Sequence, residues 1–269
     1  MPEKLTIDPV PLRGRTVLVT GASRRAGIGF ATACRAAAAG ANVFVHHFSP
    51  HDVEQPWGAD DVKTVVAGIR SHLTPGARLA EVSLDLSDPT APGQLVAAAV
   101  AEFGRVHGLV CNQALSGSDG PLASITAAEL DRHWAVNTRA SLLLAQAFAA
   151  QHPAGQAGAI VLLTSGQGLG PLPGEVAYGT AKAALAGITL TLADELADVG
   201  IRVNCVNPGP VDTGYVTPEM LAATAHMFPA GRWGEPDDAA RLLTWLLTDD
   251  ARWITGQVLN SEGGFARWR

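Results

Sequence analysis

Cysteine is scarce: Cys34, Cys111 and Cys205 are the only three in 269 residues, they stand far apart in apolar surroundings, and none forms a C-x-x-C pair. A disulfide framework and a zinc or dithiol centre are therefore not expected, and reduced core thiols are. Charge is scarce too: 16% of residues are Asp, Glu, Lys or Arg, the formal net charge is −6, and the basic residues form no long block. Such a chain has no positive field for a phosphate backbone, so nucleic acid is not an expected partner. No stretch reaches eighteen uninterrupted apolar residues, and Met1 to Pro11 carries charges and prolines where a signal peptide would have an apolar core. A cytoplasmic protein without a membrane partner is expected.

What is present is a globular composition, with 47% hydrophobic residues and 29 Gly and 17 Pro scattered without period. The length suits one domain over residues 1–269, with a core from about 14 to 264. Short β-rich runs alternate with Ala/Leu-rich helical stretches. Strands are expected at Thr16–Thr20, Asn42–His47, Leu79–Leu84, Gly108–Asn112, Ala159–Thr164, Arg202–Val206 and Gln257–Asn260. Helical patterns lie between them, after Gly29 and near Ala59–Ser71, Pro89–Phe103, Ala127–Ala150, Tyr178–Val199 and Pro236–Thr248. Alternation of this kind, with near-continuous apolar strands that need cover on both faces, predicts an α/β fold: a three-layer doubly wound parallel sheet of about seven strands. Phe48 to Gly58 and Gly209 to Gly234, rich in Pro and Gly, read as long loops, and loops of that length are often functional.

Directly after the first strand comes Thr20-Gly21-Ala22-Ser23-Arg24-Arg25-Ala26-Gly27-Ile28-Gly29, leading into a helix. Glycines at such a turn let backbone approach a pyrophosphate at a helix N-terminus, which makes Gly21, Ser23, Arg24, Arg25, Gly27, Ile28 and Gly29 candidates for holding a dinucleotide. A carboxylate at the end of the second strand would accept the 2′-hydroxyl of NAD and repel a 2′-phosphate. That carboxylate is missing, since the strand ends His46-His47-Phe48-Ser49. With Arg24 and Arg25 available to a phosphate, NADP(H) is the expected cofactor. Adjacent histidines on a strand point to opposite faces and have no third ligand in view, so no metal is expected and His47 is placed near the ribose phosphate.

Tyr178 and Lys182, four apart in a helical pattern, share one face, and an ammonium there would stabilise phenolate and lower the tyrosine pKa from about 10. Alone, such a pair is more often an ordinary surface pair. Ser165 changes the reading: it stands thirteen residues earlier, just past the apolar strand ending at Thr164, on the carboxyl edge where open α/β sheets bind ligands.

Ser165, Tyr178-x3-Lys182, Asn137 within Trp134-Ala135-Val136-Asn137, and the glycine turn together resemble the short-chain dehydrogenase/reductase family, whose fold is of Rossmann type. The resemblance spans about residues 14 to 264. It implies a catalytic group of Asn137, Ser165, Tyr178 and Lys182, with Lys182 binding ribose and a proton supply through Lys182, water and Asn137. It further implies adenine contacts at Asp85 and Leu86, and support by Asn112. The loop Asn207-Pro208-Gly209-Pro210-Val211-Asp212-Thr213 would hold the nicotinamide amide through Pro208, Gly209, Val211 and Thr213. The chain departs from the pattern twice: five residues separate Gly21 from Gly27 where the family has three, and Cys111-Asn112-Gln113-Ala114 replaces Asn-Asn-Ala-Gly.

The look is closest to 3-oxoacyl-[acyl-carrier-protein] reductases and neighbouring ketoreductases, which implies a ketone or secondary alcohol as substrate, including carrier-protein or CoA thioesters. The rival enzymatic reading is an enoyl reductase, whose Tyr and Lys are separated by six residues where three intervene here. The non-enzymatic rival is a dinucleotide-sensing scaffold, which normally requires a broken Tyr-Lys pair. Residues 209–234 would form the substrate lid, with Tyr215, Met220, Met227 and Phe228 offering apolar contact. The helix after Lys182 is apolar or small nearly all round, so a subunit interface would cover its second face, and the family's habit of pairing there implies a homotetramer.

Overall fold

A computed structural model of the chain describes residues 8–117 and 119–268. Seven parallel strands form one sheet: β1 (Thr16–Val19), β2 (Asn42–His47), β3 (Leu79–Ser83), β4 (Gly108–Cys111), β5 (Gly158–Leu163), β6 (Ile201–Asn207) and β7 (Val258–Asn260). Their order is β3-β2-β1-β4-β5-β6-β7, so the winding reverses between β1 and β4. The carboxyl ends of the strands open into a crevice at that reversal.

The helices are α1 (Ile28–Ala38), α2 (Ser49–Val53), α3 (Val62–Arg70), α4 (Ala91–Phe103), α5 (Ala127–His133), α6 (Ala140–Ala150), α7 (Val176–Glu195), α8 (Pro218–Thr224) and α9 (Pro236–Leu246). Strand alternation assigns each to a layer. Val17, Val19, Val43, Val45, Val110 and Val161 pack on Ala33 and Ala37 of α1, Ile69 of α3 and Leu243 of α9. Leu18, Phe44, Leu109, Ile160 and Leu162 face Leu95 of α4, Phe148 of α6 and Leu185 of α7. The three-layer doubly wound sheet is as expected, with strand ends within a residue or so of the sequence reading.

Three stretches differ from that reading. The expected helix from Ala127 to Ala150 is broken by a π-helical segment, Trp134–Arg139, which carries Asn137; π-bulges of this kind cluster at functional sites. The two expected loops each contain a short helix, α2 and α8, because Pro50 and Pro218 fall in first turns, where a missing N–H costs nothing. Helix α7 has the length and hydropathy of a membrane span, yet it lies on the sheet and buries the Lys182 side chain.

Candidate active site

A cleft of about 1760 Å³ runs along the carboxyl edge of the sheet. Of the residues singled out in the sequence, Gly21, Ser23, Arg24, Gly27, Ile28, Asp85, Leu86, Asn112, Ser165, Tyr178, Lys182, Pro208, Gly209 and Thr213 line it. Arg25, Gly29, His47, Asn137 and Val211 do not.

At one end the glycine turn is built for close approach. Gly21 has φ +67°, and a Cβ there would stand 2.8 Å from Gln113 Cα. At Gly29 a Cβ would stand 2.5 Å from the Gly21 carbonyl oxygen, so this glycine lets α1 pack against the turn from behind. Asn112 closes the base, its Nδ2 donating to the carbonyls of Thr20 (3.0 Å) and Gly21 (2.9 Å). The N-terminus of the eleven-residue α1 follows at Gly27. This backbone cradle fits a dinucleotide pyrophosphate, despite the two extra residues in the turn.

The histidine pair is the reverse of the sequence reading. His46 lines the cleft; its Nδ1 accepts from Gly21 N at 3.3 Å, which leaves the proton on Nε2 to donate to the Leu84 carbonyl at 2.8 Å. Burial pulls its pKa down to about 4, so it braces the turn as a neutral ring. His47 points to the other face and pairs with Glu81, Nε2 to Oε2 at 2.7 Å. Strand alternation is the reason: moving one residue along β2 changes the side of the sheet. Arg25 is also turned away. Its backbone N–H donates to Asp60 at 2.6 Å and it lies beside Phe30 and Asp212, outside the main cleft. Arg24 instead reaches across the crevice, donating to the Thr213 carbonyl at 2.8 Å and stacking on Trp57 at 5.5 Å. Val211 is buried in a bridge to Gly234.

At the other end, Ser165 follows β5 directly, and Tyr178 and Lys182 rise from the first two turns of α7. Lys182 Nζ lies 5.6 Å from the Tyr178 ring centre and donates to the Leu163 carbonyl at 3.0 Å. Burial pushes the Tyr178 pKa up to about 12, the Ser165 hydroxyl opposing it, and pulls Lys182 down to about 8. The expected lowering of the tyrosine by the ammonium is thus overturned: desolvation of the phenolate is the larger effect. Asn137 is fully buried, accepting from Leu115 N at 2.6 Å, donating to Leu115 O at 3.2 Å and lying 3.4 Å from His133 Nδ1. Its side chain anchors the loop after β4 and does not line the cleft. Gln113, the departure noted in that loop, donates to Ser141 Oγ at 2.9 Å and so ties β4 to α6.

Several contributors were not read from the sequence. Trp57, Trp233 and Phe265 join the expected lid residues Tyr215 and Phe228 in a chain of ring contacts, Trp57–Tyr215–Trp233–Phe228–Phe265, with 6.3, 6.3, 5.9 and 4.9 Å between successive centroids. This wall joins the 48–58 segment, the 209–234 segment and the C-terminal tail. Glu262 accepts from Asn207 Nδ2 at 2.8 Å and from Arg267 Nη1 at 2.6 Å, so the tail braces the loop from Asn207 to Pro210. Asp119, within reach of α7, was also missed; a lone Asp-Gly in a loop reads only as a turn.

A glycine-braced crevice at the sheet reversal, with Ser, Tyr and Lys grouped at its far end, defines a dinucleotide-binding oxidoreductase. The enoyl-(acyl carrier protein) reductase family model matches residues 21–266. An uncharacterised oxidoreductase of Bacillus subtilis is 39% identical over 255 residues, 94% of this chain and 97% of that one. A cyclohexanol dehydrogenase of a Rhodococcus species is 35% identical, covering 96% and 98% of the two chains. Among solved structures, a short-chain dehydrogenase from Burkholderia cenocepacia in complex with NADP superposes with a TM-score of 0.81 at 33% identity, over 94% and 98% of the chains. This chain belongs to the short-chain dehydrogenase/reductase family.

Proposed function

We propose that this protein is an NADP(H)-dependent oxidoreductase that converts a ketone to a secondary alcohol, or runs the reverse, with Ser165, Tyr178 and Lys182 as its catalytic group. The observation that carries the reading is the convergence of these three side chains in the cleft that the glycine turn also lines. Gly21, Ser23, Arg24, Gly27 and Ile28 would hold the phosphates, Asp85 and Leu86 the adenine end, and Asn112, Lys182, Pro208, Gly209 and Thr213 the nicotinamide half. When bound, NADPH supplies the hydride.

Tyr178 keeps its proton through neutral pH, because burial holds its pKa near 12, and a phenol so poised suits donation to an oxygen that is becoming an alkoxide. Ser165 Oγ would hold that oxygen in place. Residues 209–234 act as the substrate lid, and the aromatic wall behind them keeps water from the reacting atoms. The whole chain is proposed as one cytoplasmic domain in a homotetramer; the exposed Leu190, on α7, supports a partner on that helix.

The cofactor preference rests on Arg24 at the turn and on the absence of a carboxylate from His46-His47-Phe48 at the end of β2, the next cleft-lining carboxylates, Asp52 and Glu54, belonging to α2 and its end. Tryptophan-fluorescence titration is expected to give a Kd for NADPH at least ~10-fold below that for NADH, about 1.4 kcal/mol, and Arg24→Ala is expected to narrow that gap. An NADH preference would sink the assignment. The same protein is then given NADPH with cyclohexanone, ethyl acetoacetate or acetoacetyl-CoA, the last testing the carrier-thioester class. The matched family description also favours a second reading, reduction of an enoyl thioester. NADPH consumed with crotonyl-CoA and with no ketone would establish that alternative, and no nucleotide binding at all would favour the scaffold.

A further inference from the structure

The first amide groups of a helix have no partner within it, and a side chain at the N-cap usually accepts from one of them. In this chain α3 is capped by its own Asp61 and α8 by its own Thr217. Helix α7 is different: Glu175 holds the N-cap position without a capping bond. The acceptors come from a remote loop after β4. Asp119 Oδ1 accepts from Ala177 N at 3.0 Å and Oδ2 accepts from Tyr178 N at 2.7 Å, across 58 and 59 residues of sequence. Gly120 O accepts from Val176 N at 3.4 Å. The backbone of the residue carrying the phenol is therefore gripped by a carboxylate that also lines the cleft.

The grip is electrostatically sound. Burial on its own would raise the Asp119 carboxyl, but the N–H groups of Tyr178, Ala177 and Gly120 outweigh it and hold it below the usual carboxylate range. The group is thus an anion at neutral pH, seated at the positive end of a twenty-residue helix. On its far side the Tyr178 ring meets His133 edge-on, 6.4 Å between centroids. His133 Nε2 lies 3.1 Å from the Gly117 carbonyl oxygen, so ring and backbone of Tyr178 are both referred to the same loop.

We propose that Asp119 is a positioning residue: by fixing the first turn of α7 it sets the Tyr178 hydroxyl against Ser165 and Lys182. The proposal rests on Tyr178 being the acid of the reaction. A catalytic group displaced by about 1 Å can lose on the order of 10²-fold in rate. Asp119→Ala, which frees the Gly120 amide and the two amides of α7, is expected to lower kcat on the order of 10- to 100-fold. Asp119→Asn, which keeps one acceptor oxygen, should recover part of that loss.

The experiment measures kcat, KM and NADPH Kd for Asp119→Ala and Asp119→Asn with whichever ketone of the panel above has the highest kcat/KM. Asp61→Ala serves as a control that removes a helix cap away from Tyr178. The expected pattern is a fall in kcat with KM and Kd within about threefold of the parent, and normal kcat in Asp61→Ala. A kcat for Asp119→Ala within twofold of the parent overturns the proposal. So does a parallel loss of NADPH binding, which would show a merely structural role. If Asp119→Ala does not fold, Asp119→Asn decides alone, and a kcat within twofold again overturns it. Tyr178→Phe is run alongside: if it keeps full turnover, the acid assignment itself fails, whereas a dead Tyr178→Phe beside a normal Asp119→Ala condemns only the role given to Asp119.

Discussion

Tyr178→Phe is expected to reduce kcat at least ~10²-fold, a loss of about 2.7 kcal/mol of transition-state stabilisation, while NADPH affinity stays within about twofold. The substitution removes one oxygen and keeps the ring, so the edge-on contact with His133 and the packing over Lys182 survive. What is lost is a proton held on a group whose pKa burial raises to about 12, still below that of an aliphatic alcohol, so its transfer to the developing alkoxide is downhill. Stopped-flow absorbance at the nicotinamide band measures the rate, and fluorescence titration measures binding. Normal turnover in this variant would remove Tyr178 from the chemistry and leave the cleft as a binding site with another acid.

Lys182→Met is expected to abolish turnover and, at the same time, to make the protein more stable at neutral pH. Lys182 is 2% exposed, and burial lowers its pKa from 10.5 to about 8. Below pH 8 the folded protein carries a desolvated ammonium. The unfolded chain holds the same proton in water, and the difference corresponds to about 3 kcal/mol. Losing the charge-assisted bond to the Leu163 carbonyl costs about 2 kcal/mol, and methionine fills a similar volume. The net gain is about 1 kcal/mol at pH 7. The sign follows from the lowered pKa. Between about pH 8 and 10.5 the unfolded chain binds more protons than the folded one, so the parent gains stability as pH rises, and the advantage of Lys182→Met shrinks over that window. Urea melts of both proteins at pH 7 and pH 10 test this, and a variant less stable than the parent at pH 7 would refute it. A residue that costs stability where it stands is one retained for function.

Much of the site was legible because short-range rules apply to it. Thr20 to Gly29 reads as a strand, turn and helix in order, and Tyr178 and Lys182 share a helix face through a spacing of four. Ser165 was placed by the end of an apolar strand. The errors share a cause as well. His46 and His47 differ by one position on β2, and only the pairing of β2 with β1 and β3 says which faces the cleft. Arg24 and Arg25 are equivalent in sequence, but the turn aims one at Thr213 and puts the other's N–H on Asp60. The direction of the Tyr178 shift was misread because proximity of Lys182 was visible and burial was not.

The amino-acid sequence by itself determined the alternation of strands and helices, the parallel doubly wound sheet and the glycine turn between β1 and α1, since each follows from period, local propensity or a short spacing, while the grouping of Ser165, Tyr178 and Lys182 was implied by the resemblance to the family. Only the tertiary structure decided which neighbours in the chain face the crevice, how far burial moves each pKa, and that Asp119 and the tail from Glu262 to Arg267 reach the site. Those features depend on contacts between segments 25 or more residues apart, or on desolvation by the assembled layers, and neither leaves a local pattern to read.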